Sequence, residues 1–137
     1  MKIRINNSSV IFGTAKSAVE ITDFNTETDI LKTLEHYWDF SGVYTTNMKG
    51  AYIKVTTGDN VLINNSGNTS YGYYILCKSS PASWPEEALN DTQVVKNNTY
   101  FSFWCNSGES KTITIPEGVE YILVNRTNDI LTSITIS

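Results

Sequence analysis

Charge is scarce in this chain. Asp, Glu, Lys and Arg make up 18% of its 137 residues, where soluble domains average about 25%. Ten Lys and Arg stand against fourteen Asp and Glu, a formal net charge of −4, and the sequence pI is about 4.9. The basic residues are scattered singly. Nucleic-acid binding calls for a basic stripe and a basic pI, so no nucleic acid is expected as a partner. An anionic membrane surface is disfavoured for the same reason. Histidine occurs once, at His36, which leaves triads and zinc hydrolases without their usual base and ligand. Cysteine occurs twice, at Cys77 and Cys105. No CxxC exists, which excludes a structural zinc site. A disulfide between neighbouring strands is one reading of the pair; two buried thiols is the plainer one. No run reaches the roughly 18 apolar residues of a membrane span. Asn6 to Ser9 interrupt the first twelve residues, so no signal peptide is expected, and synthesis in the cytoplasm is.

The polarity that charge does not provide comes from 14 Asn, 17 Thr and 14 Ser. Thr favours strands, while Asn and Ser favour turns. Apolar residues at 40% and aromatics at 12% suit a folded domain with a real core. Ile113-Thr114-Ile115-Pro116-Glu117-Gly118-Val119-Glu120-Tyr121-Ile122 reads as strand, tight turn and strand. Pro116 fits the second and Gly118 the fourth position of a type I turn.

Two regions follow. Residues 1–41 carry short strand-like runs and one expected helix. In that helix Ile30, Leu31, Leu34 and Trp38 form an apolar stripe, Thr26 or Thr28 caps the start, and Ser41-Gly42 ends it. Residues 42–137 read as a mainly β domain of about eight strands. Ala51, Ile53 and Val55 alternate with Tyr52, Lys54 and Thr56, and Phe101, Phe103 and Cys105 share a side. Ile134 and Ile136 alternate with Ser133 and Thr135. Short strands with turn signals between them predict an antiparallel β-sandwich, jelly-roll-like, with an immunoglobulin-like sandwich as the nearest rival.

The search for chemistry finds no catalytic residue. There is no G-x-S-x-G elbow. Gly108-Glu109-Ser110-Lys111-Thr112 lacks the glycines of a phosphate loop, because Ser110 and Cys105 stand where they are needed. Glu86, Glu87, Asp91, Glu109, Glu117 and Glu120 lie at turns and strand ends, where solvated acids are ordinary. Asp59, Asp91 and Asp129 fit no calcium loop. Neither a metal nor a cofactor is expected. The aromatics say more. Trp84, between Ser83 and Pro85, is either a lid over the core or an exposed stacking platform. Tyr71 and Tyr73 follow an Asn-rich loop containing Asn68. Tyr and Trp suit interfaces and the apolar faces of sugar rings. Trp84, Tyr71, Tyr73 and Asn68 are therefore the candidate contacts for a glycan or partner.

Ile53-Lys54-Val55-Thr56-Thr57-Gly58-Asp59-Asn60-Val61-Leu62-Ile63, the tyrosine-rich strand and Thr112 to Ile122 together resemble jelly-roll-type β-sandwich domains of tailed-phage virion proteins. Those occur in tail fibres, baseplates and head fibres or decorations. The resemblance spans residues 43–136. It implies a non-enzymatic structural or adhesion component of a virion. It further implies other virion proteins as partners, a homo-oligomer with a trimer favoured, and host-surface glycans as ligands. Residues 1–41 would then be a docking segment. Related sandwiches serve as carbohydrate-binding modules, and such a module of a bacterial polysaccharide-processing system is the alternative.

Overall fold

β-Branched and aromatic runs pair here as antiparallel strands, as the alternation requires. The computed structural model describes residues 17–66, 72–96, 102–127 and 133–137. Among them twelve strands form: β1 (Val19–Ile21), β2 (Leu31–Leu34), β3 (Tyr37–Trp38), β4 (Tyr44–Thr45), β5 (Gly50–Lys54), β6 (Asn60–Asn64), β7 (Gly72–Cys77), β8 (Val94–Val95), β9 (Phe103–Cys105), β10 (Ser110–Thr114), β11 (Tyr121–Asn125) and β12 (Ser133–Ile136). One sheet runs β1-β12-β6-β10, and the other runs β2-β5-β11-β7-β8 with β9 also on β7. The main core lies between them. Ile53, Leu76, Ile122 and Val124 from the larger sheet meet Val61, Ile63, Ile134 and Ile136 from the smaller. The expected antiparallel β architecture is present; among the described residues nine of the twelve strands, β4 to β12, lie in residues 42–137, where about eight were anticipated.

Three short connections pass from one main sheet to the other. β5 turns into β6, β9 into β10 and β10 into β11, each pair with its members in different sheets. The turn after β10 also sits one residue later than the sequence suggests. The Val119 N–H points at the Pro116 carbonyl at 3.4 Å, and Gly118 has φ +89°. That places glycine at the third position, where a type II turn needs positive φ. At the preceding crossing, Gly58 takes φ +89° and the Asp59 carboxylate accepts from the Thr56 N–H at 2.9 Å.

The helix expected over Ile30 to Trp38 is not there; β2 and β3 occupy those residues. Thr28 does accept with its hydroxyl, from the Ile30 and Leu31 N–H groups, but the turn it makes feeds a strand. Gly42, with φ 79°, closes the β3–β4 hairpin instead of a helix. The apolar spacing was real and its cause was different. Leu31 faces the intersheet core, while Leu34 faces a second apolar layer on the sheet's other side. Residues three apart on a strand point opposite ways, so both are buried only because both faces are covered. All six residues of β7 are buried for the same reason.

The second layer is built by the β3–β4 hairpin and the 79–93 connection. Trp38 and Trp84 meet edge to face at 5.3 Å between centroids, and the Trp38 indole N–H donates to the Glu87 carbonyl at 2.8 Å. The Tyr37 hydroxyl donates to the Tyr73 carbonyl, and the Tyr73 hydroxyl to the Trp38 carbonyl. This reciprocal clasp fastens β3 onto β7. It needs Gly50: a Cβ there would stand 2.9 Å from a ring carbon of Tyr37.

β1 and β2 are integral to the two sheets. β1 pairs with β12, and β2 with β5. Arg126, just after β11, ties this region down. Its guanidinium donates to the Gly50 and Leu34 carbonyls and the Asn25 amide oxygen, and it pairs with Glu35. Glu35 also meets the Lys49 ammonium at 3.0 Å. The Lys49 hydrogen bond and charge, with Arg126 adding to them, hold the Glu35 carboxyl below its usual 4.5. Asp23 is lowered by Thr26 and Asn25, and Glu27 by the backbone and hydroxyl of Thr33. A depressed carboxyl stabilises the fold above its unfolded pKa, and that contribution is lost as pH falls through the folded value. The melting temperature should therefore drop as pH is lowered from about 5 to about 3, and Glu35→Gln should flatten the drop. An unchanged pH profile in the variant would show that the Glu35 contacts do not matter in solution.

Tyr74 is a local exception to good pairing. Its hydroxyl is buried without a hydrogen-bond partner among the described residues, and burial pushes its pKa well up. Tyr74→Phe should raise stability by roughly 1 kcal/mol in urea denaturation. A loss of that size would mean the hydroxyl is satisfied.

Candidate functional site: an uncovered corner of the larger sheet

Among the described residues, the second apolar layer covers most of the outer face of the larger sheet and leaves one corner. Register defines it. On β5, Tyr52 and Lys54 point outward, because Ala51 and Ile53 point into the intersheet core. Lys32 of β2 stands directly across from Tyr52, and Tyr121 of β11 directly across from Lys54. The result is a staggered row across three strands, in which Lys32 and Lys54 are diagonal neighbours and so are Tyr52 and Tyr121. Both lysines are exposed and both tyrosines half-buried. The tyrosine rings pack edge to face at 5.4 Å between centroids. Beneath and beside them lies Leu123, fully buried and cross-strand from Tyr52.

This geometry is stiff. Tyr52 and Tyr121 sit on central strands flanked on both sides, and their inner ring faces rest on the second apolar layer. Rigid elements hold contact groups more accurately than loops do. An aromatic pair with one side packed and the other open offers apolar area at little entropic cost. The flanking ammonium groups supply donors and positive charge.

The residues singled out from sequence lie elsewhere. Trp84 is only 9% exposed and Tyr73 8%. Trp84 is the lid of the two readings. It packs on Trp38 and its indole N–H donates to the Ser79 hydroxyl at 2.8 Å. Tyr73 is the clasp described above. Both act as core groups, because β7 is covered on its outer side. Tyr71 and Asn68 lie outside the described residues. Tyr52 and Lys54 were visible in the sequence as the face opposite Ala51, Ile53 and Val55. Lys32 was hidden by the helix reading, and nothing in the sequence paired Tyr121 with Lys54.

Other chemistry is poorly placed. Cys77 and Cys105 are free and buried. Gly72 pairs with Cys105, so the two cysteines are five positions apart along β7, about 16 Å at strand rise, and face opposite layers. That is too far for a disulfide. Burial pushes both thiols up, and Glu109 adds to this at Cys105; a thiol so raised is a poor nucleophile. No group of three His, Cys, Asp or Glu side chains suited to a metal exists among the described residues. A groove of about 470 Å³ opens between β1 and β2, lined by Val19, Ile21, Thr28, Ile30 and Leu31 with acids at its rim.

No family model matches the chain, and no curated protein does. Among solved structures it is similar to the K1 cleaved adhesin domain of Lys-gingipain (Kgp) from Porphyromonas gingivalis W83. The identity is 11% and the TM-score 0.36, over 89% of this chain and 95% of that one. A likeness of that size supports no inference about this chain.

Proposed function

We propose that this is a non-enzymatic adhesion or carbohydrate-binding domain that holds its ligand on the Tyr52–Tyr121 corner. The carrying observation is that half-exposed, edge-to-face tyrosine pair on a sheet face that is otherwise roofed over. Sugar rings offer an apolar face to such a platform, and the polar groups around it serve their hydroxyls. The passage of successive strands between two sheets supports a jelly-roll-like description of the scaffold. The resemblance to phage virion sandwiches supports display on a virion surface, with oligomerisation multiplying weak contacts.

A glycan array probed with the whole chain tests the reading. Binding should fall at least tenfold in Tyr52→Leu and Tyr121→Leu, which keep apolar cover over Leu123, with the urea midpoint nearly unchanged. Silence across the array would refute the proposal. Binding indifferent to both substitutions would move the site elsewhere.

A further inference from the structure

Five of the seven cations among the described residues are engaged by the protein itself. Lys49 and Arg126 meet Glu35, and Lys96 meets Asp91. The Lys78 ammonium donates to the Asp91 carbonyl, and that of Lys111 to the Trp104 carbonyl. The remaining two, Lys32 and Lys54, donate to no acceptor among the described residues. They are also neighbours, both exposed on the tyrosine corner. Lys54 lies two residues beyond Tyr52, the direct partner of Lys32; such diagonal positions are about 7–8 Å apart. Glu27 lies within electrostatic reach of Lys32. That carboxylate is itself held by Thr33, accepting from its N–H at 2.9 Å and its hydroxyl at 3.1 Å. Two ammonium groups with no hydrogen-bond acceptor among the described residues thus flank two ring platforms in a protein of net charge −4.

We infer that the ligand of this corner is an acidic polysaccharide, with uronic-acid residues whose rings lie on Tyr52 and Tyr121 and whose carboxylates meet Lys32 and Lys54. This rests on the glycan-binding reading above and names its substrate class. The positive charge is local, set on an acidic domain. Binding therefore depends on a carboxylate placed near a stacked ring, not on bulk attraction to polyanions.

Calorimetric titration of the whole chain with an oligogalacturonate and with a neutral β-glucan oligomer of equal length tests this. The uronate should bind at least tenfold tighter, and its affinity should fall as salt is raised to about 0.5 M. Lys32→Gln/Lys54→Gln should lose about tenfold for the uronate while keeping any neutral-glycan affinity. Both positions are exposed, so the fold should survive, and the urea midpoint checks it. Equal binding of both oligomers with an indifferent lysine variant would overturn the acidic preference and leave the glycan reading standing. Binding of neither oligomer, with silence across the array, would overturn both. Tighter binding of an oligothymidylate than of the uronate would also overturn the inference, assigning the corner to nucleic acid.

Discussion

Trp38→Ala should lower the free energy of unfolding by about 3–5 kcal/mol. Trp38 is fully buried. Its ring meets Trp84, Tyr44 and His36 within 5.8 Å between centroids. Truncation removes those contacts, opens a cavity and orphans the Glu87 carbonyl that accepts from the indole N–H. The surrounding layer is a two-residue hairpin and a connection without long strands, so little regular structure remains to hold it once the ring has gone. The damage should be polarised. Near-ultraviolet circular dichroism should lose most of its tryptophan signal, while hydrogen exchange at β6 and β12 stays slow below the unfolding transition. A loss under 1 kcal/mol would mean that the second layer is not closed over β7 as described.

Phe103→Ala should cost a similar 3–5 kcal/mol, for a different reason. Phe103 is 7% exposed and faces the intersheet core. It stacks at a tilt on Tyr74 at 5.2 Å, and the Lys111 ammonium lies over its ring at 5.7 Å. Thr114→Ala on β10 is the matched control. Thr114 is exposed, and its hydroxyl donates to the Asn60 side chain at 3.1 Å. Its loss should stay within about 0.5 kcal/mol. Urea denaturation of both variants decides the matter. Equal effects would mean that the inward faces of β9 and β10 are misassigned.

Sequence and structure agree best where one face of a strand is wet. β6 alternates exposed Leu62 with buried Val61 and Ile63, and β12 sets half-buried Thr135 between Ile134 and Ile136. Period-two hydrophobicity is legible there because water enforces it. It disappears in β7, which is covered on both sides, and in β2, whose outer face is covered at Leu34 and open at Lys32. A strand buried on two faces reads as a continuous or irregular apolar run. That is how Leu31, Leu34 and Trp38 came to look like a helical stripe. The same roof explains the candidate site. Trp84 and Tyr73 carry the side-chain chemistry of a sugar platform, but which aromatics stay wet depends on where the 79–93 connection lies. That is a long-range fact with no local signature. Tyr52 could be placed on an outward face from its neighbours alone. Its companionship with Tyr121 required the β5–β11 register.

The order β1-β12-β6-β10 sets the pace at which this domain assembles. β12 lies between β1 and β6, and Val19 is paired with Ile136 across more than a hundred positions of chain. Such distant pairings are reached slowly, because loop-closure entropy opposes them before any contact rewards them. Refolding should then fall in the millisecond-to-second range of all-β domains. Until β12 arrives, β1 and β6 present bare backbone edges, and another molecule's strand can seat itself in the vacant lane. Crowded refolding should trap exchanged dimers that dilute refolding does not.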